Sequence, residues 1–216
     1  MIADLKCAIN PVRKPLLLNT LNMRNKDRIT LASSSPRRKA LLTEAGLSFD
    51  PCPADIEEDI RKGESPIEHT LRLAEEKAKA AAKKVKSGWV IGADTIVFID
   101  NLILGKPSDA KKAHEMLNLL SSRYHKVVTA FCILNAATGK TTKMVVESRV
   151  KIKNLTDKEI GDYIKTGEPM DKAGAYAAQG IGNFMIEKIE GSYTNVVGLP
   201  MEELEQALEE LGIVRM

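Results

Sequence analysis

Cysteine is scarce in this chain and comes singly: Cys7, Cys52 and Cys132 share no C-x-x-C spacing. Three isolated thiols build neither a disulfide framework nor a zinc knuckle, and they fit a reducing, cytoplasmic compartment. Aromatic residues make up only 4% of the 216 residues, and the formal net charge is only +3. A nucleic-acid binder ordinarily shows a larger basic excess or a set of stacking rings, so no nucleic-acid partner is expected. No apolar run is long enough to span a bilayer, and no membrane partner is expected either. The sequence also lacks G-x-x-x-x-G-K-[ST], and no G-x-G-x-x-G opens a helix after a strand. Its histidines, His69, His114 and His125, are scattered without metal-ligand spacing, and no Ser/His/Asp or Cys/His set assembles.

What is present is a length suited to one domain, with ordinary apolar and charged fractions of 44% and 28%. Residues 1–28 read as a basic, flexible or loosely docked extension. Their four-residue apolar burst at Pro15–Leu18 is too short for a secretory signal, and Asp4 and Asp27 weigh against a transit peptide. From residue 29 to 216 the chain reads as a single domain in which strand-like and helix-like segments alternate, an α/β or α+β layered pattern.

Ile29–Ala32 is a short strand candidate, and Phe49–Cys52 a second. Pro66–Lys86 is the longest helix candidate, with Leu71, Ala74, Ala78, Ala81 and Val85 along one stripe and Glu75–Lys79 as an i,i+4 pair. "WVIGADTIVFI" reads as a buried strand interrupted at Gly92–Thr95, closing through Asp100-Asn101 onto Leu102–Leu104. A helix capped by Ser108 or Asp109 follows. Next come a hairpin of His125–Leu134 and Thr141–Lys153, and a helix from Thr156 to Lys165 with Glu159 completing a capping box. "TGEPMDKAGAYAAQGIGN" reads as a loop rather than a core element. Phe184–Ile189 is a late strand, and Pro200–Leu211 a terminal helix.

In "LASSSPRRKALL", Ser35 is a good N-cap, Pro36 suits the first helical position, and Leu41 and Leu42 begin a buried face. Yet Arg37, Arg38 and Lys39 crowd the positive end of that helix. Each opposes the macrodipole by about 0.3–1 kcal/mol at an exposed site. Either the turn is merely basic and solvated, or an anion sits there and reverses the local charge. Asp94 lies inside an apolar strand pattern, where a lone carboxylate is costly unless paired or bound to a metal; the alternative is a capping or turn aspartate. Glu57, Glu58 and Asp59 lie in an acidic loop, ordinarily solvated charge. If one of them meets Asp94 across a cleft, the pair suits Mg²⁺ or Mn²⁺. Lys77 and Lys106 read individually as surface lysines, but with Arg37 and Arg38 they suffice to hold a polyphosphate. Carboxylates, basic groups and hydroxyls are the kit of metal-assisted phosphoryl chemistry rather than acyl transfer.

"LASSSPRRKALL", "LRLAEEKA", "GADTIV", "LGKPSDAKKAHEML", "GEPMDKAGAYAAQG" and "GSYTNVVGLP", in this order, resemble the Maf (septum-formation) family of nucleoside triphosphate pyrophosphatases from about Ile29 to Ile213. The resemblance implies a two-lobed, mixed-sheet α/β fold related to inosine triphosphate pyrophosphatases. It also implies an active site in the cleft between the lobes, a divalent cation and often a homodimer. Such enzymes cleave a nucleoside triphosphate to the monophosphate and pyrophosphate. On this sequence Ser33, Arg37 and Arg38 fall in the phosphate and substrate grip, with the base-selecting share of the two arginines left open. Asp94 is implied as the catalytic acid/base or metal-bound carboxylate, supported by Glu58. Lys77 and Lys106 neutralise phosphate charge, Lys106 among the catalytic groups, while Thr95 and Gln179 help choose the base. The glutamine in "AYAAQG" resembles the branch acting on dTTP and UTP, with modified pyrimidine nucleotides left open. A carboxamide offers a donor and an acceptor to the uracil or thymine edge. The branch acting on 7-methylguanosine triphosphate usually has Glu there and is one alternative. A non-catalytic nucleotide-binding regulator of cell division is the other. Ala177-Ala178 departs from the family's more usual Gly and larger residue, which bears on the shape of the base pocket.

Overall fold

The computed structural model describes residues 24–100 and 102–215; residues 1–23, Asn101 and Met216 lie outside the described residues. In chain order the elements are β1 (Arg24–Asn25), β2 (Ile29–Leu31), α1 (Pro36–Glu44), β3 (Phe49–Pro51), α2 (Pro66–Ala82), β4 (Trp89–Ile99), β5 (Leu102–Leu104), α3 (Ala110–Leu120) and β6 (Tyr124–Asn135). They continue with β7 (Thr141–Ile152), α4 (Asp157–Lys165), three 3₁₀ turns between Glu168 and Met185, β8 (Ile186–Glu190), α5 (Tyr193–Val197), α6 (Met201–Glu210) and β9 (Val214–Arg215). Most of the extension expected over residues 1–28 falls outside the described residues. Its last stretch is docked: β1 pairs antiparallel with β9, and the Arg28 carbonyl accepts from Trp89 N–H at 2.8 Å.

Seven strands form one mixed sheet in the order β3-β2-β4-β6-β7-β8, with β5 also on β4. β2 runs parallel to both β3 and β4, and the remaining pairs are antiparallel. Side chains alternate faces along a strand, and this sorts the core. Val90, Ile96, Val128, Ala130 and Cys132 pack under Ala74, Ala78 and Ala81 of α2. On the opposite face Ile91, Ala93, Phe131 and Ile133 meet Leu41 and Leu42 of α1 and Leu204 and Leu208 of α6. Farther along that same face Val97, Ile99, Val127 and Val150 meet Leu117 and Leu120 of α3 and Ile160 of α4. Between these two apolar clusters lie Thr95 and Thr129, directly opposite each other in the β4–β6 register. Two cores separated by a polar seam on one sheet give the two-lobed α/β form.

Several expectations need correction. β4 is not interrupted at Gly92–Thr95; it runs unbroken from Trp89 to Ile99. Gly92 is there for close approach: a Cβ at that position would meet Ala78 N at 2.6 Å and the Ala74 carbonyl closer still. Without a side chain, α2 settles directly on the strand. The segment expected as a plain loop is partly core, because Gly174 to Ala178 are buried among the 3₁₀ turns. α2 ends at Ala82 rather than Lys86, and β8 begins at Ile186 rather than Phe184. Asp109, not Ser108, caps α3, accepting from Lys112 N–H at 2.8 Å. The capping box at Thr156 and Glu159 and the Glu75–Lys79 pair are present, the latter at 2.7 Å.

Candidate active site

The site begins with a gap in the sheet. On one edge of β4, β2 pairs with Trp89–Ile91 and β5 with Val97–Ile99, so Gly92 to Ile96 have no partner strand there. A ladder carbonyl left open at such a place needs a donor. For Ala93 the donor is Arg38, whose Nη1 reaches the carbonyl at 2.9 Å. The same guanidinium donates from Nε to the Gly198 carbonyl at 2.8 Å, from Nη2 to Thr95 Oγ1 at 2.9 Å and from Nη1 to Ser33 Oγ at 3.3 Å. Four of its five N–H groups are thus spent on the protein. Burial holds this guanidinium below the usual arginine value, while Asp94 acts in the opposite sense.

Around that plug opens a cavity of about 410 Å³. Ser33, Arg37, Arg38, Glu58, Lys77, Asp94, Thr95 and Lys106, drawn from five separate stretches of chain, all line it. Gln179 is half-buried and is not among its lining residues, although Ala177 and Ala178 are.

On the α2 side, Lys77 and Asp94 are 8% and 7% exposed and face each other, with Nζ 2.7 Å from Asp94 Oδ1. Lys77 projects from the helix stripe that carries Ala74 and Ala78, so the contact that needs Gly92 also delivers the ammonium to Asp94. Glu58, in the irregular segment between β3 and α2, reaches the same Nζ at 2.6 Å. The acidic loop does meet Asp94, through a shared ammonium.

On the α1 side the cations are not so engaged. Ser35 Oγ caps the helix, accepting from Arg38 N–H at 3.4 Å, and Ser33 Oγ accepts from Ser35 N–H at 3.2 Å. No acidic residue occupies the first turn of α1. Among the described residues, the side chains of Arg37 and Lys106 make no hydrogen bond or ion pair, though Arg37 acts through space on Asp171, which lines the same cavity, and adds to the lowering of its carboxyl by Lys172. Lys77 and Arg38 have protein partners; Arg37, Lys106 and the helix end keep their positive charge turned to the cavity.

A Maf-like protein family model matches residues 28–211, a span that takes in every residue lining the cavity. The chain belongs to the Maf family. It is 51% identical over 190 residues to the dTTP/UTP pyrophosphatase of Syntrophotalea carbinolica, covering 87% of this chain and 86% of that one. It is 52% identical over 184 residues to the dTTP/UTP pyrophosphatase of Citrifermentans bemidjiense, covering 85% and 95%. Among solved structures it is similar to the Ham1 protein of Staphylococcus aureus, with a TM-score of 0.47 at 17% identity over 85% of this chain and 98% of that one.

Some residues of this Maf site escape sequence reasoning. Thr129 bonds Thr95 at 2.9 Å and donates to the Asn195 carbonyl at 3.0 Å. Asn195 in turn donates to the Val127 carbonyl and to Ser148 Oγ, tying α5 beneath the seam. Asp171, Lys172 and Tyr176 line the cavity from the 3₁₀ segment, and Tyr176 Oη lies 2.7 Å from His125 Nε2 in the core. Burial pushes His125 down to about 4 and Tyr176 up. The motifs "GSYTNVVGLP" and "GEPMDKAGAYAAQG" marked these segments; no periodicity marked the individual residues.

Proposed function

We propose that this Maf protein hydrolyses dTTP and UTP to the monophosphate and pyrophosphate, as the names of its relatives suggest for them. The observation that carries the reading is the division of charge in one cavity: a Glu58–Lys77–Asp94 cluster on one side, and on the other Arg37 with Lys106, whose side chains make no hydrogen bond or ion pair among the described residues, Asp171 acting on Arg37 only through space. A polyanion with a reacting centre at one end fits that asymmetry.

The carboxylate pair suits a divalent cation. Hard oxygen donors are the right type for Mg²⁺ or Mn²⁺. Among the described residues no group of three or more His, Cys, Asp or Glu side chains is placed to hold an ion alone. Glu58 and Asp94 would therefore hold it jointly with phosphate oxygens of the substrate, the usual arrangement for magnesium. Such an ion, when bound, withdraws charge from the phosphates and eases attack on an anionic phosphorus.

The remaining roles belong to side chains. Arg37, Lys106 and the N-terminus of α1 take the phosphate tail. Asp94 orients a water toward the α-phosphorus and accepts its proton. As the new P–O bond forms, the bond from the α-phosphorus to its bridging oxygen breaks, and pyrophosphate leaves with that electron pair. Lys106 and Arg37 offset the charge that grows there. Arg38 holds the wall between Ser33, Ala93, Thr95 and Gly198 in place. Gln179 follows directly on a wall residue, and reading the base requires its carboxamide to turn inward. A homodimer is the assembly the resemblance suggests, to be checked by light scattering of the eluted protein.

The test is a nucleotide panel with Mg²⁺, scored by pyrophosphate release. Rapid release from dTTP and UTP with little from 7-methylguanosine triphosphate supports the reading. Tight binding of dTTP without pyrophosphate contradicts it and favours a sensor.

A further inference from the structure

Glu58 does important work in this reading, yet it comes from a segment with no regular structure, so something must hold it. The sequence stretch "LRLAEEKA" supplies Lys77, and it also contains Arg72, which lies outside the cavity lining. Arg72 is largely buried and makes a two-pronged pair with Glu64, Nε to Oε1 at 2.6 Å and Nη2 to Oε2 at 2.8 Å. Its Nη2 also donates at 3.0 Å to the carbonyl of Asp59, the residue next to Glu58. Glu64 Oε2 accepts from Arg61 N–H at 3.1 Å and meets His69 Nδ1 at 3.1 Å, while Arg72 Nη1 reaches Glu76 at 3.1 Å. One guanidinium on α2 thus fastens both ends of the Asp59–Glu64 stretch to the helix that carries Lys77. The Arg72 bonds hold the Glu64 carboxyl well below the usual carboxylate range.

We propose that Arg72 and Glu64 are positioning residues that fix the Glu58 carboxylate beside Lys77 and Asp94, and thereby set how strongly a divalent cation supports substrate binding. The inference rests on the reading of Glu58 given above. Its physical basis is that a fork-shaped, largely buried Arg–carboxylate pair has one geometry, whereas a lysine in its place has many. Outer partners that orient metal-holding carboxylates are commonly worth 10- to 100-fold in metal affinity.

The test uses the full chain and the non-hydrolysable α,β-imido analogue of dTTP, with calorimetric affinities measured in Mg²⁺ and in EDTA. Melting curves establish that each variant is folded at the assay temperature. Arg72→Lys is expected to reduce the affinity gained from Mg²⁺ by about 10-fold, while leaving affinity in EDTA near wild type. A merely structural defect would lower both. Glu64→Gln is the second variant and shifts the same ratio in the same direction. In a Glu58→Gln background, Arg72→Lys adds no further loss, because both changes remove one function. If Arg72→Lys leaves the Mg²⁺ gain intact, or its loss adds in full to that of Glu58→Gln, the positioning role is overturned while the reading of Glu58 stands. If Glu58→Gln itself leaves the Mg²⁺ gain unchanged, the reading of Glu58 fails and the positioning role goes with it.

Discussion

Asp94 and Thr95 are neighbours in β4 that point to opposite faces of the sheet, yet both border the same cavity. That is geometrically allowed only because the strand's edge is open between its pairings with β2 and β5. Asp94 faces α2 and meets Lys77, while Thr95 faces the seam between the lobes and meets Arg38 and Thr129. One strand thereby hands an acid to one side of the site and a hydroxyl network to the other.

The two arginines of α1 are expected to fail differently. Arg37→Met removes a charge that makes no hydrogen bond or ion pair among the described residues and acts on Asp171 only through space. It should lower kcat/KM for dTTP by about 10- to 100-fold, the worth of a charge-assisted contact, with denaturant stability within about 0.5 kcal/mol of wild type. Arg38→Met strips the donors from the Ala93 and Gly198 carbonyls and should cost about 1–3 kcal/mol of stability as well as activity. Paired urea titrations and steady-state kinetics read both; equal stability loss in the two variants would contradict the division of labour.

Gly92→Ala tests the seat of α2. The added methyl runs into the Ala74–Ala78 backbone, so the helix must shift. We expect a loss of about 1–3 kcal/mol from overpacking, together with reduced turnover because Lys77 moves with the helix. Unchanged urea midpoint and unchanged rate would show that the strand has slack there.

His125 gives the fold a pH signature. Its folded-state value is lowered from 6.5 to about 4 by burial, so below 6.5 the unfolded chain binds a proton that the folded chain refuses. Stability is then fully present above about pH 6.5 and falls as the pH drops toward 4, by about 3 kcal/mol in all. His125→Gln, which preserves a polar partner for Tyr176, should flatten that slope in urea titrations between pH 4 and 6.5. An identical slope in the variant would contradict the assignment.

Much of this was legible in the sequence, for identifiable reasons. Local rules found the Ser35 cap, the Thr156 capping box and the apolar stripe of α2, because each depends on a few consecutive residues. Asp94 stood out because a charge in an apolar strand is costly, and the family motifs contain seven of the eight expected residues that line the cavity, Glu58 coming from the acidic loop instead. The rest depends on distant pairings. Gly92 looked like a break because its reason is a helix eighteen residues upstream in its closest contact. Arg38 and Arg37 could not be told apart because Ala93 and Gly198, which occupy Arg38, are distant along the chain. Ala175 to Ala178 looked like surface loop because a buried irregular stretch between short 3₁₀ turns leaves no periodic signal.

Base choice is tested at Gln179. A carboxylate there can only accept, so Gln179→Glu should lower kcat/KM for dTTP and UTP by about 10- to 100-fold through the lost donor. Relative activity toward 7-methylguanosine triphosphate should rise. Unaltered ratios across the nucleotide panel would remove Gln179 from base reading and leave the Ala177–Ala178 wall to do it.

The most direct measurement is pyrophosphate release from dTTP by Asp94→Asn, with circular dichroism to establish that the fold is retained. An amide of the same size can still accept from Lys77 but cannot take a proton from water. The account predicts a fall in kcat of about 10³-fold or more in a protein with a native spectrum. Turnover of the folded variant at the wild-type rate would contradict it.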